Sequence, residues 1–129
     1  MTLDEIRDYL LSKLATSQDY PFGPEVEVYR VANKMFATLA IARDQPDEAL
    51  SEPVWWLNLK CEPTEAMMLR DIFESVIPGY HMNKALWNTI ILNGEVPDGE
   101  LQRMMDNSYD LIVSSLPKGK QAAIKGGQS

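Results

Sequence analysis

The hydrophobic period drops from that of a helix to two residues at Glu25 and recovers after Cys61, which confines this chain to a mixed helix-and-sheet architecture. Leu3, Ile6, Leu10 and Leu14 recur at helical spacing, and Thr2 with Glu5 spells a capping box. A first helix is predicted from the N-terminus, fading near residues 15–17. Pro21, Gly23 and Pro24 then make a rigid turn into the sheet. Residues 25–31 and 34–42 both alternate, with Ala32-Asn33 as the tight reversal between them. On this count Met35, Ala37, Leu39 and Ile41 share one side, and Lys34, Phe36 and Thr38 the other. Residues 54–61 alternate again, with Trp55, Leu57, Leu59 and Cys61 on one face and Trp56, Asn58 and Lys60 on the opposite one.

A second helix is predicted over residues 63–76, where Pro63 suits a first turn and Pro78-Gly79 makes the stop. Its apolar stripe is Met68, Leu69, Ile72, Phe73 and Val76. Residues 87–92 read as a fourth strand ending at the Asn93-Gly94 turn. Asp98 caps a last helix whose buried side is Leu101, Met104, Met105, Ile112 and Leu116, and Pro117 ends it. Met67, Met68, Met104 and Met105 all read as core filler. The economical packing is a two-layer α+β sandwich over residues 1–117, with an antiparallel sheet of about four strands and helices on one face. Residues 118–129 read as a flexible tail. The other sheet face, carrying Lys34, Phe36, Thr38, Trp56, Asn58 and Lys60, is left partly open as a binding surface.

A chain of 129 residues supports one domain with a single core. No apolar run approaches the ~20 residues that cross a bilayer, and the acidic N-terminus does not suit a secretory signal. Cys61 is the lone cysteine, so no internal disulfide forms, and a cytoplasmic location is expected. The net charge is −7, which weighs against a generic duplex binder, because counterion release from phosphates supplies much of that affinity. The acid is concentrated in the first helix and in residues 43–53, a proline-bracketed loop or wing. A local basic patch elsewhere remains compatible with the total.

Three groups of residues carry candidate chemistry. His81, Asn83 and Lys84 crowd one connection and can hydrogen-bond a phosphate or a base edge; alternatively, His81 and Asn83 cap the break between helix and strand while Lys84 is solvated. Lys34 and Lys60, near Trp56 and Phe36, can grip a phosphate backbone while rings stack; alternatively, a lysine guards a strand edge above a small apolar cluster. Asp4, Glu5 and Asp8 can share a hard cation, but acids at a helix N-terminus also simply complement its dipole. The acids Asp44, Asp47, Glu48 and Glu52 match no calcium-loop spacing and read as a solvated loop. Cys61 reads as a buried small hydrophobe. No nucleotide-binding glycine loop, nucleophile elbow or zinc motif is present, so a non-enzymatic protein with no cofactor and no catalytic or metal residues is expected.

The run from Gly79 through His81, Asn83, Lys84 and Trp87 to Asn88 resembles the MmcQ/YjbR family of small bacterial proteins. Residues 92–98, 108–117, 34–37 and 57–61 are similar to other motifs of that family, so the likeness spans about residues 2–118. The resemblance implies a double-wing, frataxin-like α+β sandwich and a DNA-binding role of uncharacterised purpose. It also implies that Lys34, Lys60, His81, Asn83, Lys84 and Trp87 occupy the signature positions. The expected function is nucleic-acid binding, with the lysines on phosphates and His81, Asn83 and Trp87 shaping the site. A protein-interaction module on the same face and an acidic metal-binding protein are the alternatives. A monomer with no membrane contact is expected; its ligand and process are not legible.

Overall fold

The computed structural model describes residues 1–41, 54–79 and 82–126. Helix α1 (Leu3–Leu11) starts on the capping box: the Glu5 amide donates to Thr2 Oγ1 at 3.1 Å, and the Thr2 amide to Glu5 Oε1 at 2.8 Å. It buries Ile6 and Leu10 but ends sooner than expected, leaving Leu14 exposed before Ala15 turns left-handed at φ 59°. The chain then pairs as β1 (Thr16–Asp19), β2 (Val26–Val31), β3 (Lys34–Ile41), β4 (Trp55–Lys60), β5 (Val76–Pro78) and β6 (Trp87–Ile91). These form one sheet of six strands, ordered β1-β2-β3-β4-β6-β5, with every neighbouring pair antiparallel. The expected sheet of about four strands lacked both edges. Neither β1 nor β5 has an alternating pattern of its own; each exists because a longer neighbour offers it a ladder.

Helices α2 (Pro63–Ile72), α3 (Asp98–Ser114) and α4 (Lys118–Gly126) complete the fold. Side chains of all four helices join one core with Tyr29, Val31, Leu39, Leu57, Leu59, Val76 and Ile90, so the helices cover a single sheet face. The stretch expected as a tail is helical from Lys118 to Gly126 and buries Ile124. Met104 and Met105 lie in the core, whereas Met67, Met68 and Ile72 are 63%, 56% and 63% exposed. The expected α2 stripe does not hold: the helix stops at Ile72, Val76 belongs to β5, and within the helix it is Ala66 and Leu69 that face the sheet.

Ala32 and Asn33 form the β2–β3 turn with φ of 50° and 65°, both left-handed as a type I′ reversal requires. Beyond that turn the register slips: Arg30 opposes Met35 while Tyr29 opposes Ala37, so Phe36 is an extra residue in β3. The bulge overturns the expected common face of Lys34, Phe36 and Thr38. Phe36 turns under the sheet and meets Tyr109 edge-on at 5.4 Å, while Thr38 stays on the opposite face. Lys34 opposes the buried Val31 and so projects from the helix-covered face.

A bulge leaves ladder groups unpaired, and here α3 supplies their partner. The Lys60 amide donates to Ser108 Oγ at 2.9 Å, and that hydroxyl donates to the Phe36 carbonyl at 2.5 Å. Ser108→Ala is expected to remove about 1–3 kcal/mol, since it leaves a part-buried N–H and a buried C=O without partners. Urea unfolding measures this; a loss below ~0.5 kcal/mol would mean that the two strands pair without the hydroxyl.

Candidate nucleic-acid interface

The hydrogen bonds from the Cys61 amide to Leu86 O (2.8 Å) and from the Leu92 amide to Trp55 O (2.9 Å) fix the phase of the β4–β6 ladder. Trp56–Ile91, Asn58–Thr89 and Lys60–Trp87 are therefore its non-hydrogen-bonded pairs, in which facing side chains approach most closely. All three pairs lie on the face away from the helices. Val28, Thr38, Asn58 and Thr89 run across its middle as direct neighbours. Asn58 Nδ2 donates to Thr38 Oγ1 at 2.9 Å, and Thr89 Oγ1 donates to Asn58 Oδ1.

This middle row is buried, Val28 and Thr89 completely. The expected open face therefore does not exist as a whole. Phe36 and Lys34 project from the helix-covered side, and Thr38 and Asn58 are shielded. What persists is one corner where β4 ends and β6 begins. Lys60 and the half-buried Trp87 face each other there, on strands held rigid by the hydrogen-bonded row beside them.

The connection before β6 adds to this corner. Asn83 Oδ1 accepts the Ala85 amide at 3.0 Å in a local turn that exposes Asn83 and Lys84. Arg70, in the last turn of α2, reaches across to the Lys84 carbonyl with Nη1 at 3.3 Å. No sequence signal marked Arg70, because only the fold brings α2 beside this connection. His81 and the wing acids Asp44, Asp47, Glu48 and Glu52 lie outside the described residues. Gly79 donates its amide to Trp87 O at 2.9 Å, and a Cβ there would meet Trp87 Cβ at 2.8 Å. The close backbone approach that seats Trp87 therefore requires glycine.

The electrostatics divide the cations in two. Arg7, Lys13, Arg30 and Arg103 are each held by carboxylates: Asp4 and Glu27, Asp106, Asp19, and Glu65 with Glu100. Among the described residues, no carboxylate pairs with Lys60, Arg70, Lys84, Lys34, Lys118, Lys120 or Lys125. Two acids that follow β4 in sequence are already engaged, while Asp71 and Glu74, which follow Arg70, are exposed. Glu65 binds Arg103, and Glu62 caps α2, where the Thr64 and Glu65 amides hold its carboxyl below the usual range. Burial, with Glu65 and Glu62 close by, pushes the Cys61 thiol up to about 11, so it stays protonated and unreactive at neutral pH.

A second cationic group lies on α4. Helix α3 runs from Asp98, beside the N-terminal ammonium, to the Ser108 contact with Phe36 and Lys60. Helix α4 follows it, and exposed Lys118 and Lys120 lie in its first turn, on the helix side of the sheet.

A six-stranded antiparallel sheet with four helices on one face, and a lysine–tryptophan pair at a corner of the other, defines a small α+β domain of one architectural class. The chain belongs to the YjbR family, whose profile matches residues 11–111. It is 31% identical over 108 residues to the uncharacterised protein YbdF of Escherichia coli O157:H7, covering 84% of this chain and 81% of that one. It is 29% identical over 121 residues to the uncharacterised protein YjbR of Escherichia coli K12, covering 94% and 95%. Among solved structures, Deinococcus radiodurans protein DR2400, with the domain DUF419, superposes with a TM-score of 0.82 at 27% identity, covering 99% of this chain and 94% of that one.

Proposed function

We propose that this protein binds DNA, without catalysis, through the corner built from Lys60, Lys84, Arg70 and Trp87. The observation that supports this reading is that three cations without a described carboxylate partner gather about one ladder end and the connection beside it, while four others are neutralised. A phosphodiester supplies the missing anion, and an adjacent indole supplies a surface for the sugar or base. Asn83, exposed at the same turn, is placed to donate through its amide. Lys34 leaves the group because it sits at the β2–β3 turn opposite Val31, outside the β4–β6 ladder and the connection to which Arg70 is bonded.

The two alternatives have less support. A protein contact on the sheet face would need the open surface that the buried Val28–Thr89 row removes. The exposed apolar side chains Met67, Met68 and Ile72 lie on α2 instead. For the metal reading, Glu5 is committed to the capping box and Asp4 to Arg7, and no metal-ligating cluster exists among the described residues. No described helix is long and apolar enough to cross a membrane.

Anisotropy with labelled DNA tests the proposal. Micromolar binding is expected at about 50 mM salt, weakening steeply by about 200 mM, because each neutralised phosphate releases counterions. Lys60→Ala and Lys84→Ala should each flatten the salt dependence by about one phosphate's worth. Absence of binding at low salt, or full retention by the Lys60→Ala, Lys84→Ala double variant, would remove the proposal.

A further inference from the structure

We infer that the nucleic acid taken by this corner is single-stranded, with a base stacked on Trp87 and the flanking phosphates held by Lys60, Lys84 and Arg70; this rests on the nucleic-acid reading above. Charge is the first argument. Duplex binders of this kind neutralise roughly 6–10 phosphates, whereas the corner offers Lys60, Lys84 and Arg70 against a net charge of −7. A duplex laid across it would carry many more phosphates past the rest of an acidic surface. A single strand brings only the few that the corner can meet.

Geometry is the second argument. Lys60 and Trp87 are a non-hydrogen-bonded cross-strand pair, with Cα atoms about 4.5 Å apart, so cation and indole project side by side from a sheet face. Such a pair suits a nucleotide whose base is free to stack while its phosphate meets the ammonium. In a duplex both faces of an interior base are occupied by its neighbours. Stacking on an aromatic side chain contributes about 5- to 150-fold in affinity per base, which compensates for few phosphate contacts and tolerates any sequence. The platform is rigid as well. Asn58 and Thr89, one pair along the same ladder, are joined through their side chains, and the Lys60 amide is fixed by Ser108.

The test compares an oligothymidylate of about 20 nucleotides, an oligouridylate of the same length and a duplex of that length, all by anisotropy at one salt concentration. The single strands should bind at least about tenfold tighter than the duplex, with a log–log salt slope near −2 for three phosphates. The two single strands distinguish DNA from RNA as the source. Trp87→Ala should weaken single-strand binding by about 5- to 150-fold and leave duplex binding within about twofold, while Trp87→Phe keeps most of the affinity. Circular dichroism checks that each variant folds. If Trp87→Ala does not fold, Trp87→Phe against Trp87→Leu carries the comparison, the ring-free side chain losing the affinity. Equal or tighter duplex binding, or folded ring-free variants with unchanged single-strand affinity, would overturn this inference while DNA binding stands. Binding of neither probe would remove both.

Discussion

Arg7→Ala is expected to remove about 3 kcal/mol of stability, seen as a fall of about 1–2 M in the urea midpoint. Glu27 is 4% exposed, and its carboxylate is held by Arg7 Nε at 2.9 and 3.1 Å and Arg7 Nη2 at 2.8 Å. Tyr29 OH at 2.8 Å and Gln18 Nε2 at 3.1 Å complete the set, and the Arg7 guanidinium lies 5.3 Å above the Trp55 ring. Without Arg7 the charge is left inside the protein with neutral donors only. The value sits at the lower end of the ~3–5 kcal/mol seen for broken buried pairs because the Arg7 side chain is itself 29% exposed. Adding Glu27→Gln to Arg7→Ala should recover part of the loss. A double variant no more stable than the single one would mean that the orphaned charge is not the cause.

The same network sets a pH dependence. Burial pushes the Glu27 carboxyl up, but hydrogen bonds from Arg7, Tyr29 and Gln18 outweigh it, and the group is held below the usual carboxylate range. A depressed folded value means that its stabilisation is complete above the unfolded value of about 4.3 and is lost as pH falls through the folded value. In Arg7→Ala only burial and neutral donors remain, so the slope between about pH 4 and 6 should reverse, with acid relieving the buried charge.

Phe36→Ala is expected to be as costly, at about 3–5 kcal/mol. The ring is fully buried, and its edge-on contact with Tyr109, at 5.4 Å and 83°, contributes beyond the area removed from water. Tyr109 in turn donates its hydroxyl to the Leu14 carbonyl at 2.6 Å, tying α3 to the end of α1. A double-mutant cycle of Phe36 and Tyr109, each to leucine, should show coupling of about 0.5–1.5 kcal/mol. Additive losses would place Phe36 away from Tyr109, on the face that simple alternation assigns to it.

Phe36 also shows how far alternation could be read. The period of two found β2, β3 and β4 and their turn, because each strand has one face on the core. It assigned Phe36 to the wrong face because parity inverts at a bulge. Met35-Phe36-Ala37 breaks the alternation at the bulge, but Leu39-Ala40-Ile41 breaks it equally where the register is regular, so the sequence alone does not mark the position. The edge strands were invisible for another reason: the sequence Thr16-Ser17-Gln18-Asp19 has no pattern, and its pairing to β2 is made by tertiary structure. Met68 and Ile72 share helical spacing with Leu69, yet the face of α2 that meets the sheet is that of Ala66 and Leu69, which spacing alone does not select. At the site, the sequence marks Lys60 and Trp87 only singly; their direct opposition follows from the β4–β6 register. Arg70 and Ser108 needed the helices in place.

Amide and indole shift mapping by NMR, during titration of the full chain with a short oligothymidylate at low salt, tests the corner most directly. The largest changes are expected at Lys60, Lys84, Leu86 and the Trp87 indole N–H, with smaller ones at Arg70. Changes centred on Lys118 and Lys120 of α4, or a corner that does not respond while the oligonucleotide binds, would contradict the proposed site.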